Sequence, residues 1–177
     1  MELKAIDTSY KGYLFRSRLE ARWAVFFDTL KLEWEYEPEG YEFNNGERYL
    51  PDFRIKSPVY DHLVYEWVEI KPVHPSDVEL GKLKRLCETS DMTSWLVFGT
   101  PGNSRSFMYL PSPFQASFHN QQFFEEHLSY NVIRFEYGYD DECFDKSFLT
   151  KQRHLFEKAC AAARSARFEH NAKRAYI

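Results

Sequence analysis

Apolar positions recur every three to four residues at Leu19, Trp23, Phe26, Phe27 and Leu30, which predicts a helix opening at Ser17. The pattern then changes period. Lys31 to Glu37 alternates and predicts a strand ended by Pro38. Gly40–Phe43 and Arg48–Ile55 flank Asn45-Gly46, a strong hairpin turn signal. Pro51 inside that second run implies an edge position or a strand end, because proline has no N–H for the ladder. Ser57-Pro58 predicts the next turn, and His62–Lys71 the next strand, stopped by Pro72 and Pro75. Ser76 can cap a helix to about Thr89 with Val78, Leu80, Leu83, Leu86 and Cys87 as its apolar face. Trp95–Phe98 reads as a short buried strand closed by Gly99 to Gly102. The order is α-β-β-β-α-β.

Residues 1–14 read as a lead-in with a turn at Lys11-Gly12. Beyond residue 102 the pattern blurs. Ser106–Leu110 and Val132–Tyr137 read as strands and Asn120–Leu128 as a short helix. Asp140-Asp141-Glu142 with Asp145 is an acidic turn that lacks the ligand spacing of a calcium loop. Leu149–Ala175, rich in alanine, predicts a long last helix. With no repeat and no low-complexity linker, the expectation is one α/β domain over 1–177. It has a core over about 12–100, an aromatic-rich insertion over about 103–148 and a C-terminal helix over about 149–175.

A chain of 177 residues with 44% hydrophobic positions can bury a proper core. No apolar run is long enough to span a bilayer, and the first residues lack the apolar stretch of a signal peptide. Cys87, Cys143 and Cys160 are odd in number and far apart, which argues against a disulfide framework or a zinc knuckle and fits a reducing cytosol. The net charge of -4 does not advertise a nucleic-acid binder, but its distribution is uneven. Leu149–Ala175 carries seven basic residues against two acidic ones, a local +5 on a remainder of -9. That is the arrangement expected of a phosphate-binding wall beside a carboxylate site, though on charge alone a solvated helix face is the slightly favoured reading.

The candidate chemistry lies on two predicted neighbouring strands. Asp52 follows Pro51 on the first, and Glu69 and Lys71 share one face of the second. Two converging carboxylates suit a hard divalent cation such as magnesium, which prefers oxygen ligands and keeps several waters. A lysine beside them can orient or deprotonate a water and offset developing negative charge. Together these groups suit hydrolysis of a phosphodiester. Glu20 has two readings. Ser17-x-x-Glu20 is a capping box, with Glu20 bonding back to the Ser17 N–H, and it also lies beside small residues that would let its carboxylate reach a site under the helix. Glu37 and Glu39 read as structural.

The set Glu20, Pro51-Asp52 and Glu69-Ile70-Lys71 resembles the PD-(D/E)XK nuclease superfamily. Phe15 to Ala24, Tyr36 to Gly40, Tyr49 to Phe53 and Ala163 to His170 are similar to small phage and bacterial nuclease-like proteins. The resemblance covers residues 12–72 well and the last helix in part. It implies a restriction-endonuclease-like αβββαβ core with a mixed central sheet. It also implies metal-dependent DNA endonuclease activity with Mg2+, for which Mn2+ can substitute. Asp52, Glu69 and the Ile70 carbonyl would be ligands, Lys71 the catalytic lysine, and Glu20 a further ligand, direct or through water. Arg16, Arg18, Arg22, Arg164 and Arg167 are the candidate phosphate contacts. A homodimer would supply a site for each DNA strand, and the expected setting is the cytoplasm of a bacterium or a phage-infected host. Two alternatives stand beside this: a catalytically silent DNA- or protein-binding module of nuclease fold, and a nuclease subunit of a transposition, recombination or defence complex.

Overall fold

The computed structural model describes residues 6–59, 62–112, 117–121, 124–125, 127–128 and 146–168. Ser17 ends extended backbone and opens helix α1 (Arg18–Thr29), whose apolar stripe buries Trp23, Phe26 and Phe27. Before it stands a hairpin of β1 (Thr8–Tyr10) and β2 (Tyr13–Phe15). Residues 1–14 are therefore not a plain lead-in. These strands are three residues each, too short for an alternation to register in sequence.

Among the described residues the main sheet has six strands. In chain order they are β3 (Glu33–Tyr36), β6 (Phe53–Val59), β7 (His62–Lys71), β8 (Ser94–Thr100), β9 (Asn103–Tyr109) and β10 (Ser117–Gln121). In space the order is β10-β9-β8-β7-β6-β3. β7 and β8 are parallel and all the other pairs antiparallel, so the sheet is mixed. The parallel step needs a crossover, which α2 (Asp77–Ser90) supplies. Ser76 caps α2 through a full capping box with Glu79. Through β8, the main sheet and its helices follow the expected α-β-β-β-α-β order.

Several boundaries differ from the sequence reading. Arg48–Ile55 is not one strand. β5 (Arg48–Tyr49) pairs with β4 (Tyr41–Glu42) in a separate hairpin, and β6 begins only after Pro51 and Asp52. Ser57-Pro58 is no turn but part of β6. Proline is tolerated there because β3 stops pairing at Lys56, leaving the outer edge of β6 without a partner strand. Asn120 and Gln121 end β10 instead of opening a helix, since pairing with β9 overrides a weak local preference. Within 120–128, the described helical residues are 124–125 and 127–128. Val78 faces solvent at 67% exposure, so the buried face of α2 is Leu83, Leu86 and Cys87. Helix α3 (Lys146–Ser165) ends ten residues before the expected Ala175, and Ala166–Phe168 are not helical. The segments Val132–Tyr137 and Asp140–Asp145 lie outside the described residues.

Two apolar layers sandwich the sheet. On one face α1 and α3 cover Phe53, Ile55, Val68, Ile70 and Trp95, with Ala159, Cys160 and Ala163 of α3 in the packed layer. The other face buries Trp67 with Phe43 and Leu86. Each fully buried large apolar side chain contributes about 1.5–3 kcal/mol. Burial is the main reason the Cys87 thiol is pushed up to about 11 and the Cys160 thiol to about 12. No helix among the described residues is long and apolar enough to cross a membrane.

Candidate functional site

The break at Pro51-Asp52 delivers the first carboxylate. Phe53 pairs with Val68 across β6 and β7, so one further step sets Asp52 opposite Glu69. Residues opposite one another in an antiparallel pair share a face. The Ile70 N–H donates to Asp52 Oδ2 at 2.7 Å, tying the carboxylate to β7. The other oxygen, Oδ1, accepts from Arg16 Nη2 at 2.8 Å. Asp52 and Glu69 are only 3% and 5% exposed. Burial pushes the Asp52 carboxyl well above the ordinary carboxylate range, and the charges of Glu69 and Glu20 push it further. The Ile70 N–H and Arg16 pull it back only in part.

Glu69 Oε1 lies 2.8 Å from Lys71 Nζ, which also stands 3.6 Å from Glu79. The second oxygen, Glu69 Oε2, is buried and meets no hydrogen-bond partner among the described residues, although the Tyr49 phenol is close enough to feel the Glu69 carboxylate. An orphaned carboxylate oxygen is costly, and a bound cation is one of the few things that offsets the cost. Burial works against the charged form of Lys71, but Glu69, Asp52 and Glu79 outweigh it and raise the ammonium above its ordinary pKa.

Glu20 lies in the first turn of α1 and is buried. The Ser17 hydroxyl accepts from the Glu20 N–H at 3.2 Å, so the cap is present. The reciprocal bond differs from the expected one. Glu20 Oε2 accepts from the Arg16 N–H at 3.1 Å, not from Ser17 N–H, and Oε1 takes the Ser17 hydroxyl at 2.7 Å. Oε2 also accepts from the Tyr36 hydroxyl at 2.6 Å. Glu20 thus serves the helix cap and the edge of the site at once. Glu37, expected to be structural, reaches in: its Oε1 is 2.7 Å from Arg16 Nη2. Glu39 stands 3.7 Å from Arg54 and beside Tyr41.

Tyr36 and Tyr49 are site residues that sequence reasoning missed. Both phenols are raised by burial first, then by the neighbouring carboxylate, Glu20 for Tyr36 and Glu69 for Tyr49. A tyrosine directly before Glu37-Pro38 and another directly before Leu50-Pro51-Asp52 were the available signals.

Arg16, Arg18, Glu20, Asp52, Glu69 and Lys71 line one cleft of about 750 Å³, with Arg48, Tyr49 and Leu50 from the β4–β5 hairpin forming its other wall. Arg22, Arg164 and Arg167 are not in its lining. Arg164 stands beside Gly102, where a Cβ would come 2.5 Å from its Nη1. Gly102 has φ +85° and sits in the turn after β8. Lys71 pairs with Phe98 in the parallel ladder, so that turn is at the same end of the sheet as the cleft.

Among the described residues no three His, Cys, Asp or Glu side chains close into a ready metal cage. Magnesium does not need one, since it is commonly held by one or two carboxylates and keeps its remaining waters. The pair Asp52–Glu69, with one orphaned oxygen, fits that chemistry. No family model matches the chain, and neither the curated proteins nor the solved structures provide a match.

Proposed function

We propose that the protein is a divalent-metal-dependent DNA endonuclease of the PD-(D/E)XK superfamily, with a restriction-endonuclease-like core. One observation carries the proposal. Asp52, just ahead of β6, and Glu69 of β7 are buried carboxylates in one cleft, one Glu69 oxygen meets no hydrogen-bond partner among the described residues, and Lys71 stands beside it. The α-β-β-β-α-β order around a mixed sheet supports it.

Asp52, Glu69 and the Ile70 carbonyl would hold Mg2+ or Mn2+, whose chemistry there is to polarise the phosphate and acidify a bound water. Lys71, set between Glu69 and Glu79, donates to the scissile group and offsets the negative charge that builds on it. Glu20 fixes the turn that carries Arg16 and shapes the wall of the site through its three hydrogen bonds. Arg18 and Arg48 in the cleft lining contact neighbouring phosphates and set the position of the strand without reading its sequence.

The test is incubation of plasmid, linear and branched DNA with the protein and Mg2+, then Mn2+, beside Asp52→Ala. Cutting that needs the metal and disappears in the variant, with DNA still bound, supports the enzyme. A second reading is a silent DNA- or protein-binding module. It is favoured by the internal cations already on the pair, Arg16 on Asp52 and Lys71 on Glu69. Pure protein that binds DNA yet never cuts any shape with either metal selects that reading.

A further inference from the structure

Each oxygen of Asp52 already has a partner: Oδ2 accepts from the Ile70 N–H, and Oδ1 carries Arg16 Nη2 at 2.8 Å. Across from it, Glu69 Oε1 faces Lys71 while Oε2 is orphaned. A magnesium ion would sit about 2.0–2.1 Å from its oxygens. Bound to Asp52 Oδ1 it would lie within a few ångströms of the guanidinium. At that range two positive charges in a buried site repel strongly. The cation and Arg16 therefore compete for the negative charge of Asp52.

Arg16 is built to yield. Its side chain is 58% exposed, while the Asp52 side chain is 4% exposed. Its backbone is fixed, because the Arg16 N–H bonds both Glu20 and the Tyr36 hydroxyl. Only the side chain has to move. A second anchor is in place: Glu37 Oε1 lies 2.7 Å from the same Nη2. Glu37 takes φ +46°, a left-handed conformation costly for a non-glycine residue, and its N–H bonds the Asp52 carbonyl at 2.9 Å. That position keeps the buried Glu37 Oε1 beside Arg16, behind the residues that line the cleft. Arg16 also lines the cleft that a DNA strand would enter.

We infer that Arg16 is a resident counter-ion of Asp52 that an incoming divalent cation displaces, and that the displaced guanidinium, steadied by Glu37, grips a phosphate of the DNA strand. Metal uptake and backbone binding are thereby ordered, metal first. This rests on the nuclease reading above, and the experiment separates the two.

Mg2+ and Mn2+ are titrated calorimetrically into the full chain without DNA. The wild type takes up the cation, Arg16→Gln takes it up several-fold more tightly, and Glu37→Gln several-fold more weakly. DNA binding is then followed against salt in Ca2+, a cation that takes the same hard oxygen ligands. In Ca2+ the slope of log K on log salt is steeper for the wild type than for Arg16→Gln by about 1. Without a divalent cation the two slopes agree. Equal metal affinity in Arg16→Gln and wild type, or a slope difference that persists without metal, overturns the inference and leaves the nuclease reading standing. A wild type that takes up neither cation overturns both. If Arg16→Gln does not fold, Glu37→Gln decides, and unchanged or tighter metal uptake in it overturns the inference.

Discussion

Asp52 is a carboxyl kept in a place that penalises its charge. Burial, then Glu69 and Glu20, raise its pKa, and two hydrogen bonds do not cancel the rise. A raised folded pKa means that the folded state binds the proton more tightly than the unfolded chain does. Its favourable effect on stability is therefore complete below the ordinary carboxylate value of about 4 and is lost as pH climbs through the raised value. Urea denaturation of the metal-free protein is expected to show stability falling with pH over that window, with the fall absent in Asp52→Asn. Parallel profiles for the two proteins would refute the assignment. Tyr36 is a second residue-level test. Its hydroxyl donates to buried Glu20 and accepts the Arg16 N–H. Tyr36→Phe should cost about 1.5–3 kcal/mol by denaturation, the range for a hydrogen bond to a charged group. The proximity of Asp52, Glu69 and Lys71 was legible in sequence because Pro51 sets Asp52 beside one strand and a two-residue spacing puts Glu69 and Lys71 on one face of the next. Arg16 was read only as a phosphate contact, Glu37 as structural and Tyr36 not as a site residue, since the three meet only when the turn before α1 closes on the end of β3.

Helix starts and strand ends aim these side chains, so caps matter here beyond helix stability. Ser17 accepts from the Glu20 N–H and donates to the Glu20 carboxylate. Ser17→Ala should lose about 1 kcal/mol of stability and weaken divalent-cation uptake, because the Arg16 turn loosens with it. Ser76→Ala removes the capping box of α2. It should cost a similar ~1 kcal/mol and leave cation uptake nearly unchanged. Equal losses of uptake in both variants would mean that general destabilisation, not the Arg16 turn, is being measured. β7 was read in sequence with its observed limits, His62–Lys71, because a long apolar-rich run meets Pro72. β6 was misjudged at both ends. Its start is hidden by a hairpin strand that runs into it, and its Pro58 is harmless on an unpaired edge. Such effects of neighbouring strands leave no local mark on the residues themselves.

At the scale of the molecule, candidate phosphate contacts stand in two places. Arg16, Arg18 and Arg48 line the cleft, while Arg164 stands beside the β8–β9 turn at the same end of the sheet. A DNA strand crossing that end would meet both. Arg164→Gln is expected to weaken DNA binding evenly across sequences, to lower the salt slope by about 1 and to leave divalent-cation uptake unchanged. The basic tail helix was visible as a charge segment in sequence, but its end was not. Ala166 and Arg167 continue the alanine-rich composition, yet helical backbone stops at Ser165.

The most direct measurement is the rate of Mg2+-dependent DNA cleavage by the wild type against Lys71→Ala at saturating metal, with DNA binding followed in parallel. A cation set between Glu69 and Glu79 to offset charge on the phosphate should leave binding largely intact when removed and slow cleavage by about 10²-fold or more. Equal rates in the two proteins, or a wild type that cuts no DNA with Mg2+ or Mn2+, would contradict it.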